Sequence, residues 1–243
     1  MKNIAIITGA SSGMGMEFVK QINEKYSKFD EIWVLARRID RLNELSKIAC
    51  EGKIRPFKID LTDEKQLFEF SNVLAKENVA IRLLVNCAGY GICGDFSEGS
   101  YAQELGMIDL NCKALTALTY ICLKYIPKRS VIVQFASIAA FVPQAKFAIY
   151  AATKSYVYSF SVALRKELKK RKISVTSVCP GPVATEFFEI ADPNDNTMWY
   201  KKLVMVEAKD VVSKALQDAA KGKKNSIYGV PMKIVKTFSH LLG

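Results

Sequence analysis

Six short apolar runs punctuate the chain, at 3–8, 31–36, 54–59, 82–86, 130–136 and 173–178, with a weaker seventh at 225–228. Helical periodicity fills the spaces between them, near 13–27, 39–50, 63–77, 101–126, 149–171 and 207–221. A strand that is apolar at successive positions, such as Val131-Ile132-Val133, must be covered on both faces, and a parallel sheet flanked by helices provides that cover. The alternation therefore predicts an α/β chain with a doubly wound parallel sheet of about seven strands, helices on both faces, in one domain over 1–243. The rhythm fails at 186–206, EFFEIADPNDNTMWYKKLVMV, where aromatic residues flank the loop signal Asp192-Pro193-Asn194-Asp195-Asn196. An insertion of this kind reads as a substrate loop or lid, with a plain surface loop as the alternative.

Several function classes are excluded early. The single histidine, His240, lies within the last four residues, which removes His-dependent hydrolysis and His-rich metal sites. The cysteines at 50, 87, 93, 112, 122 and 179 form no CxxC pair, so no metal site is expected and they read as reduced thiols. The longest uncharged run, between Arg129 and Lys146, contains Gln, Ser and Pro and is too short and too polar to span a membrane. The apolar run Ile4–Ile7 is too short for a signal peptide, which makes a cytoplasmic protein the expectation. A formal charge of +11 is open to nucleic acid, an anionic surface or an anionic ligand. No nucleic-acid recognition motif accompanies it, and the densest run, 166–172, closes a helical pattern whose dipole it complements.

The first strand leads directly into Thr8-Gly9-Ala10-Ser11-Ser12-Gly13-Met14-Gly15 and then a helix. Glycines at such a turn allow close backbone approach to a pyrophosphate, and the helix N-terminus offers free N–H groups to it. After the second strand comes Arg37-Arg38, with no acidic residue at the position that binds the ribose 2′-hydroxyl of NAD. Two guanidiniums there suit the 2′-phosphate of NADP. Asp40 is the one nearby residue that argues for NAD, and it is read instead as a first-turn carboxylate of the next helix.

Further clusters fall at strand ends, where open α/β sheets bind ligands. Asn86-Cys87-Ala88-Gly89 closes the fourth strand, Ser137 follows the fifth, and Tyr150 and Lys154, four apart, share one helix face. These motifs, with Pro180-Gly181-Pro182-Val183-Ala184-Thr185, closely resemble the short-chain dehydrogenase/reductase family over nearly the whole chain. Cys87 stands where the family has a second Asn, and Met14 where Ile or Leu is common.

The resemblance implies a Rossmann-type fold, NADP(H) as cofactor and hydride transfer between it and a carbonyl or secondary alcohol. It implies a catalytic set of Asn111, Ser137, Tyr150 and Lys154, with Tyr150 as acid/base and Lys154 lowering the tyrosine pKa while holding the nicotinamide ribose. Ser137 would hydrogen-bond the substrate oxygen, and Asn111 would hold a relay water. Cofactor contacts are implied at Gly9, Ser11, Ser12, Gly13, Met14, Gly15, Arg37, Arg38, Asp60, Leu61, Asn86, Ala88, Gly89, Tyr150, Lys154, Pro180, Gly181, Val183 and Thr185. The chemistry agrees independently. A donor pair stabilises charge developing on the carbonyl oxygen, a free tyrosine near pKa 10 is a poor base at neutral pH, and a neighbouring ammonium favours phenolate.

Each residue taken singly also has a structural reading: a surface i,i+4 pair for Tyr150 and Lys154, a turn cap for Ser137, a satisfied core amide for Asn111. A catalytically silent NADP(H)-binding sensor or scaffold is the alternative function. Tyr90, Phe96, Phe141, Gln144, Phe147 and the 186–206 segment are expected to line a pocket for a hydrophobic carbonyl compound. A homodimer or homotetramer through the helices at 101–126 and 149–171 is expected, and 232–242 reads as a short amphipathic helix.

Overall fold

The computed structural model describes residues 1–192 and 204–239. Seven strands form a parallel sheet: β1 (Lys2–Thr8), β2 (Glu31–Ala36), β3 (Ile54–Lys58), β4 (Val79–Asn86), β5 (Val131–Phe135), β6 (Ser174–Val178) and, further along the chain, β9 (Asn225–Ser226). They lie in the order β3-β2-β1-β4-β5-β6-β9. The order reverses between β1 and β4, and the carboxyl ends of these two strands therefore flank the crevice where such sheets bind ligands.

Alternation along each strand builds two cores. Ala5 and Ile7 of β1 face α1 (Gly13–Lys25), α2 (Ile39–Ser46) and α8 (Ala208–Ala220), while Ile4 and Ile6 face the opposite layer. That layer holds α3 (Glu64–Lys76), α5 (Leu115–Leu123) and α6 (Ala148–Glu167). The sheet and its two helical layers constitute a single domain.

The structure departs from the expected elements in instructive places. β4 begins at Val79, because Val79, Ala80 and Ile81 already pair with Lys2, Asn3 and Ile4 before the register shifts, and Arg82 is accommodated by donating from Nε to Asn3 Oδ1 at 2.7 Å. The helix expected over 101–126 is three pieces: α4 (Tyr101–Ile108), a π-helical turn (Asp109–Ala114) and α5. A two-residue pair, β7 (Val183–Ala184) with β8 (Val206–Glu207), and a short helix, α7 (Phe187–Ala191), lie at the ends of the irregular 186–206 segment. Most of that segment's loop signal, from Pro193 onward, lies outside the described residues, as does His240. The expected terminal helix is α9 (Val230–Phe238). It packs on the Pro180-Gly181 loop so closely that a Cβ on Gly181 would meet Met232 Sδ at 2.4 Å. Among the described residues no helix is long and apolar enough to cross a membrane.

Candidate active site

The turn after β1 is drawn tight by its own backbone. Gly9 has φ +65, a conformation costly for any residue with a Cβ, and a Cβ there would come within 2.9 Å of Ala88 Cα. Gly15 admits α1 to the same turn, because a Cβ on it would be 2.3 Å from the Gly9 carbonyl oxygen. Thr8 joins the two strand ends, its Oγ1 accepting from the N–H groups of Cys87 and Ala88, both at 3.0 Å. Ser12 precedes α1 without capping it through its side chain, and the helix has no acidic residue in its first turn. Its leading N–H groups are thus available to an anion.

Of the two arginines after β2, only Arg38 reaches this loop. Its Nε donates to Ser11 Oγ at 3.2 Å and its Nη2 to Ser12 Oγ at 2.7 Å. Arg37 is turned outward, with 76% of its side chain exposed and Asp60 Oδ2 3.9 Å away. Asp60 Oδ1 accepts from the backbone and hydroxyl of Thr62, while Leu61 is buried in the core beside α3. Asp40 lies in the first turn of α2, as expected. The side chain of Asn86 points away from the crevice: its Nδ2 donates to Thr119 Oγ1 and Gln134 Oε1, each at 2.9 Å, so it ties β4 to β5 and α5.

Tyr150, Lys154, Ser137 and Asn111 converge at the carboxyl ends of β4 and β5, all nearly buried. Tyr150 and Lys154 occupy successive turns of α6 on its inward face. The Tyr150 ring lies 4.2 Å from that of Phe147 and 5.4 Å from that of Phe187, centroid to centroid. Ser137 opens a single helical turn, Ile138–Ala140, where its Oγ accepts from the Ala139 N–H at 3.2 Å, and it lines the same crevice as Tyr150. The turn-cap reading of Ser137 therefore holds. Asn111 sits in the π-turn. Its Nδ2 donates to Tyr90 O at 2.9 Å and to Thr153 Oγ1 at 3.1 Å, and its Oδ1 accepts from Tyr90 N–H at 3.1 Å. One extra residue per turn at Asp109–Ala114 is what swings this amide inward, a use of π-turns that recurs at functional sites. Gly89 makes room for the group: a Cβ on it would lie 2.8 Å from Asn111 Oδ1 and 3.3 Å from Lys154 Nζ.

The electrostatics differ from the expectation that Lys154 acidifies Tyr150. Burial pushes the phenol up to about 12, with Ser137 opposing weakly. Lys154 Nζ donates to Phe135 O at 2.9 Å and stands 5.6 Å from the centre of the tyrosine ring, and burial lowers it to about 8. Desolvation dominates both groups because the site is walled by aromatic rings. At neutral pH Tyr150 accordingly holds its proton as a donor. The Cys87 thiol, which replaces an Asn, is also pushed up to about 12 by burial and is an inert, neutral wall.

The crevice is lined by Met14, Gly89, Ser137, Gln144, Phe147, Tyr150, Lys154, Val183, Thr185, Phe187 and Phe188 among others. Gln144 and Phe147 are where the sequence led us to expect them, and Phe187 and Phe188 come from the irregular segment. Three expected lining residues are elsewhere. Phe96 is 65% exposed on the surface. Phe141 packs edge-on against Tyr158 at 4.7 Å. Tyr90 directs its hydroxyl to Gln103 O and supports Asn111 with its backbone. Glu186 and Arg41, which sequence reasoning missed, join this region: Arg38 Nη1 donates to Glu186 Oε2 at 2.9 Å, and Arg41 Nη1 pairs with Glu186 Oε1. Pro180 anchors the opposite rim, its carbonyl accepting from Ile138 N–H at 2.9 Å.

The glycine cradle at 9–15, the uncapped helix end and the Lys154–Asn111 pocket at Gly89 fit a dinucleotide laid from α1 towards Tyr150. Such a fold and site define a class of nucleotide-dependent redox proteins. A family model described as short chain dehydrogenase matches residues 3–196, and the chain belongs to that family of oxidoreductases. Similar proteins include a probable short-chain type dehydrogenase/reductase, VdlC, of Helicobacter pylori, 31% identical over 229 residues, 93% of this chain and 77% of that one. Another is a probable NADP-dependent dehydrogenase of Haemophilus influenzae, 31% identical over 216 residues, 86% of this chain and 84% of that one. A solved short-chain dehydrogenase from Sphingobium yanoikuyae, in complex with NADPH, superposes with a TM-score of 0.83 at 26% identity, covering 98% of this chain and 91% of that one.

Proposed function

We propose that the protein reduces a hydrophobic carbonyl compound with NADPH, or oxidises the corresponding secondary alcohol with NADP. The observation that carries the reading is the buried convergence of Ser137, Tyr150 and Lys154 beside the glycine turn, with Arg38 bonded to Ser11 and Ser12. When bound, the cofactor supplies or accepts the hydride. Tyr150 Oη then gives its proton to the substrate oxygen and is left as a phenolate that solvent reprotonates, or that takes the alcohol's proton in the reverse direction. Ser137 Oγ donates a second hydrogen bond to the substrate oxygen as negative charge develops there. Lys154, held by Phe135 O, supplies positive charge near the reacting tyrosine and a donor for the nicotinamide ribose. Asn111 keeps the polar floor of the site in place through Tyr90 and Thr153. The rings of Phe147, Phe187 and Phe188 support an apolar substrate, since a polar one would leave its groups unpaired among them.

The test is NADPH oxidation, followed by absorbance, against a panel of aliphatic and aromatic ketones and aldehydes. Turnover with at least one, faster with NADPH than NADH, is expected; cofactor binding without turnover on any member would favour the silent-sensor alternative. Replacing Arg38 by Ala is expected to weaken NADPH roughly tenfold or more and NADH much less, because the charge-assisted bonds to the 2′-phosphate serve NADPH alone while the lost bonds to Ser11 and Ser12 affect both cofactors alike. Arg37→Ala is expected to do far less. Equal losses with both cofactors would count against Arg38 as the phosphate ligand.

A pH dependence follows from the same burial. A lysine lowered to about 8 keeps its ammonium below that pH and loses it above, while a phenol raised to about 12 stays protonated throughout. Carbonyl reduction is therefore expected to be level from pH 6 to 7.5 and to fall above about 8. Lys154→Gln lowers the plateau and removes the break; a profile that rises towards pH 9 would contradict the assignment.

The 186–206 segment, which begins with α7, is proposed to serve as substrate loop. The chain is further proposed to be a cytoplasmic homodimer or homotetramer. Tyr101, Tyr120 and Tyr156, exposed on α4, α5 and α6, support an apolar contact there, and sedimentation velocity tests it.

A further inference from the structure

We propose that Glu186 is a built-in anion that competes with the cofactor's 2′-phosphate for Arg38, with Arg41 as the second arm of the grip. The inference rests on the NADP(H) reading above and concerns how that site sets its preference. Arg38 is fixed to the phosphate turn through Ser11 and Ser12, and its remaining nitrogen, Nη1, meets Glu186 Oε2 at 2.9 Å. Arg41 is three residues further along, on the same side of α2, and takes the other carboxylate oxygen, Oε1. Two guanidiniums thus close on one anion, one on each oxygen. Planar forks converging in this way suit a phosphate as well as a carboxylate. The two arginines hold the Glu186 carboxyl below the usual carboxylate range, so it stays charged at neutral pH. Arg37, pointing away to Asp60, takes no part.

A 2′-phosphate carries more charge than a carboxylate and has three terminal oxygens, so it can take both arginines. Glu186 must then leave, because two anions cannot share the pair without strong repulsion. A cofactor with a free 2′-hydroxyl makes no such demand. The affinity for the phosphate is therefore reduced by the fraction of molecules in which Glu186 holds the arginines, and affinity for the unphosphorylated cofactor is not. Glu186 narrows the discrimination that Arg38 and Arg41 create. It also lies between Thr185, on the cofactor side, and Phe187, whose ring stands 5.4 Å from that of Tyr150, so the exchange occurs at the root of the wall facing the reacting tyrosine.

The experiment is calorimetric titration of the full chain with adenosine 2′,5′-bisphosphate and with 5′-AMP, which isolates the phosphate from catalysis. The wild type is expected to bind the bisphosphate more tightly. Glu186→Gln is expected to tighten the bisphosphate about tenfold and leave 5′-AMP unchanged. Glu186→Asp, whose shorter carboxylate falls short of spanning both arginines, gives a smaller tightening and keeps the test available if the glutamine variant folds poorly. In the Glu186→Gln background, Arg41→Gln is expected to weaken the bisphosphate about tenfold, again without effect on 5′-AMP. If the wild type prefers the bisphosphate and Glu186→Gln leaves it unchanged or weakens it, the carboxylate positions the arginines rather than competing for them, and the inference falls while the NADP(H) reading stands. If the wild type does not distinguish the two ligands, both fall.

Discussion

Tyr150→Phe is expected to lower turnover by roughly 10²–10⁴-fold while NADPH binding stays close to wild type. The hydroxyl is the proton donor of the proposed reaction, and its removal leaves the ring where Phe147 and Phe187 pack it. In the proposed reading cofactor affinity comes from the glycine turn, Arg38 and Lys154, none of which the substitution touches. Stopped-flow or steady-state NADPH oxidation measures the first quantity and protein-fluorescence titration the second. Undiminished turnover would remove Tyr150 from the chemistry; loss of binding in parallel would show that the ring serves structure instead.

The second large effect is expected at Gly15. A methyl group there would stand 2.3 Å from the Gly9 carbonyl oxygen, and backbone cannot yield as a flexible side chain does. Gly15→Ala should displace α1 from the turn, costing about 1–3 kcal/mol of unfolding free energy by overpacking and abolishing measurable NADPH binding. Gly94→Ala is the matched control, since a Cβ at Gly94 meets nothing within 4 Å. Denaturant unfolding and NADPH titration of the two variants should separate cleanly. Similar stability and binding in both would mean that the turn tolerates a side chain and that the dinucleotide does not depend on its close approach.

The sheet was legible because its strands obey a local rule. Ile4-Ala5-Ile6-Ile7 is apolar without alternation, and that pattern follows from a strand with a helix layer on each side. The candidate site was legible where its members lie next to strand ends, as Ser137 does after β5 and Gly89 after β4. Side-chain direction was less accessible. Asn86 stands three residues before Gly89 yet turns into the interior to meet Thr119 and Gln134, and Phe141 stands four residues from Ser137 yet packs on Tyr158. Proximity along a chain does not decide which face of an element a residue takes. The π-turn around Asn111 changes the register by one residue while leaving an apolar pattern that still reads as one helix; an Asn amid apolar neighbours was its only signal. The Glu186–Arg41 pair joins residues 145 apart, and no local periodicity marks such a contact. Spacing placed Tyr150 and Lys154 on one face, but it carried no information about burial, and burial is what raises the phenol and lowers the amine.

The account turns on hydride passing between a nicotinamide and a carbonyl carbon above Tyr150. Its most direct test is to incubate the protein with NADPH deuterated at the transferring position of nicotinamide C4, using a ketone from the reactive panel, and to weigh the alcohol formed. The account predicts one deuterium on the carbinol carbon, formed at a rate that Tyr150→Phe suppresses. An alcohol without deuterium, or NADPH consumed with the ketone untouched, would contradict it.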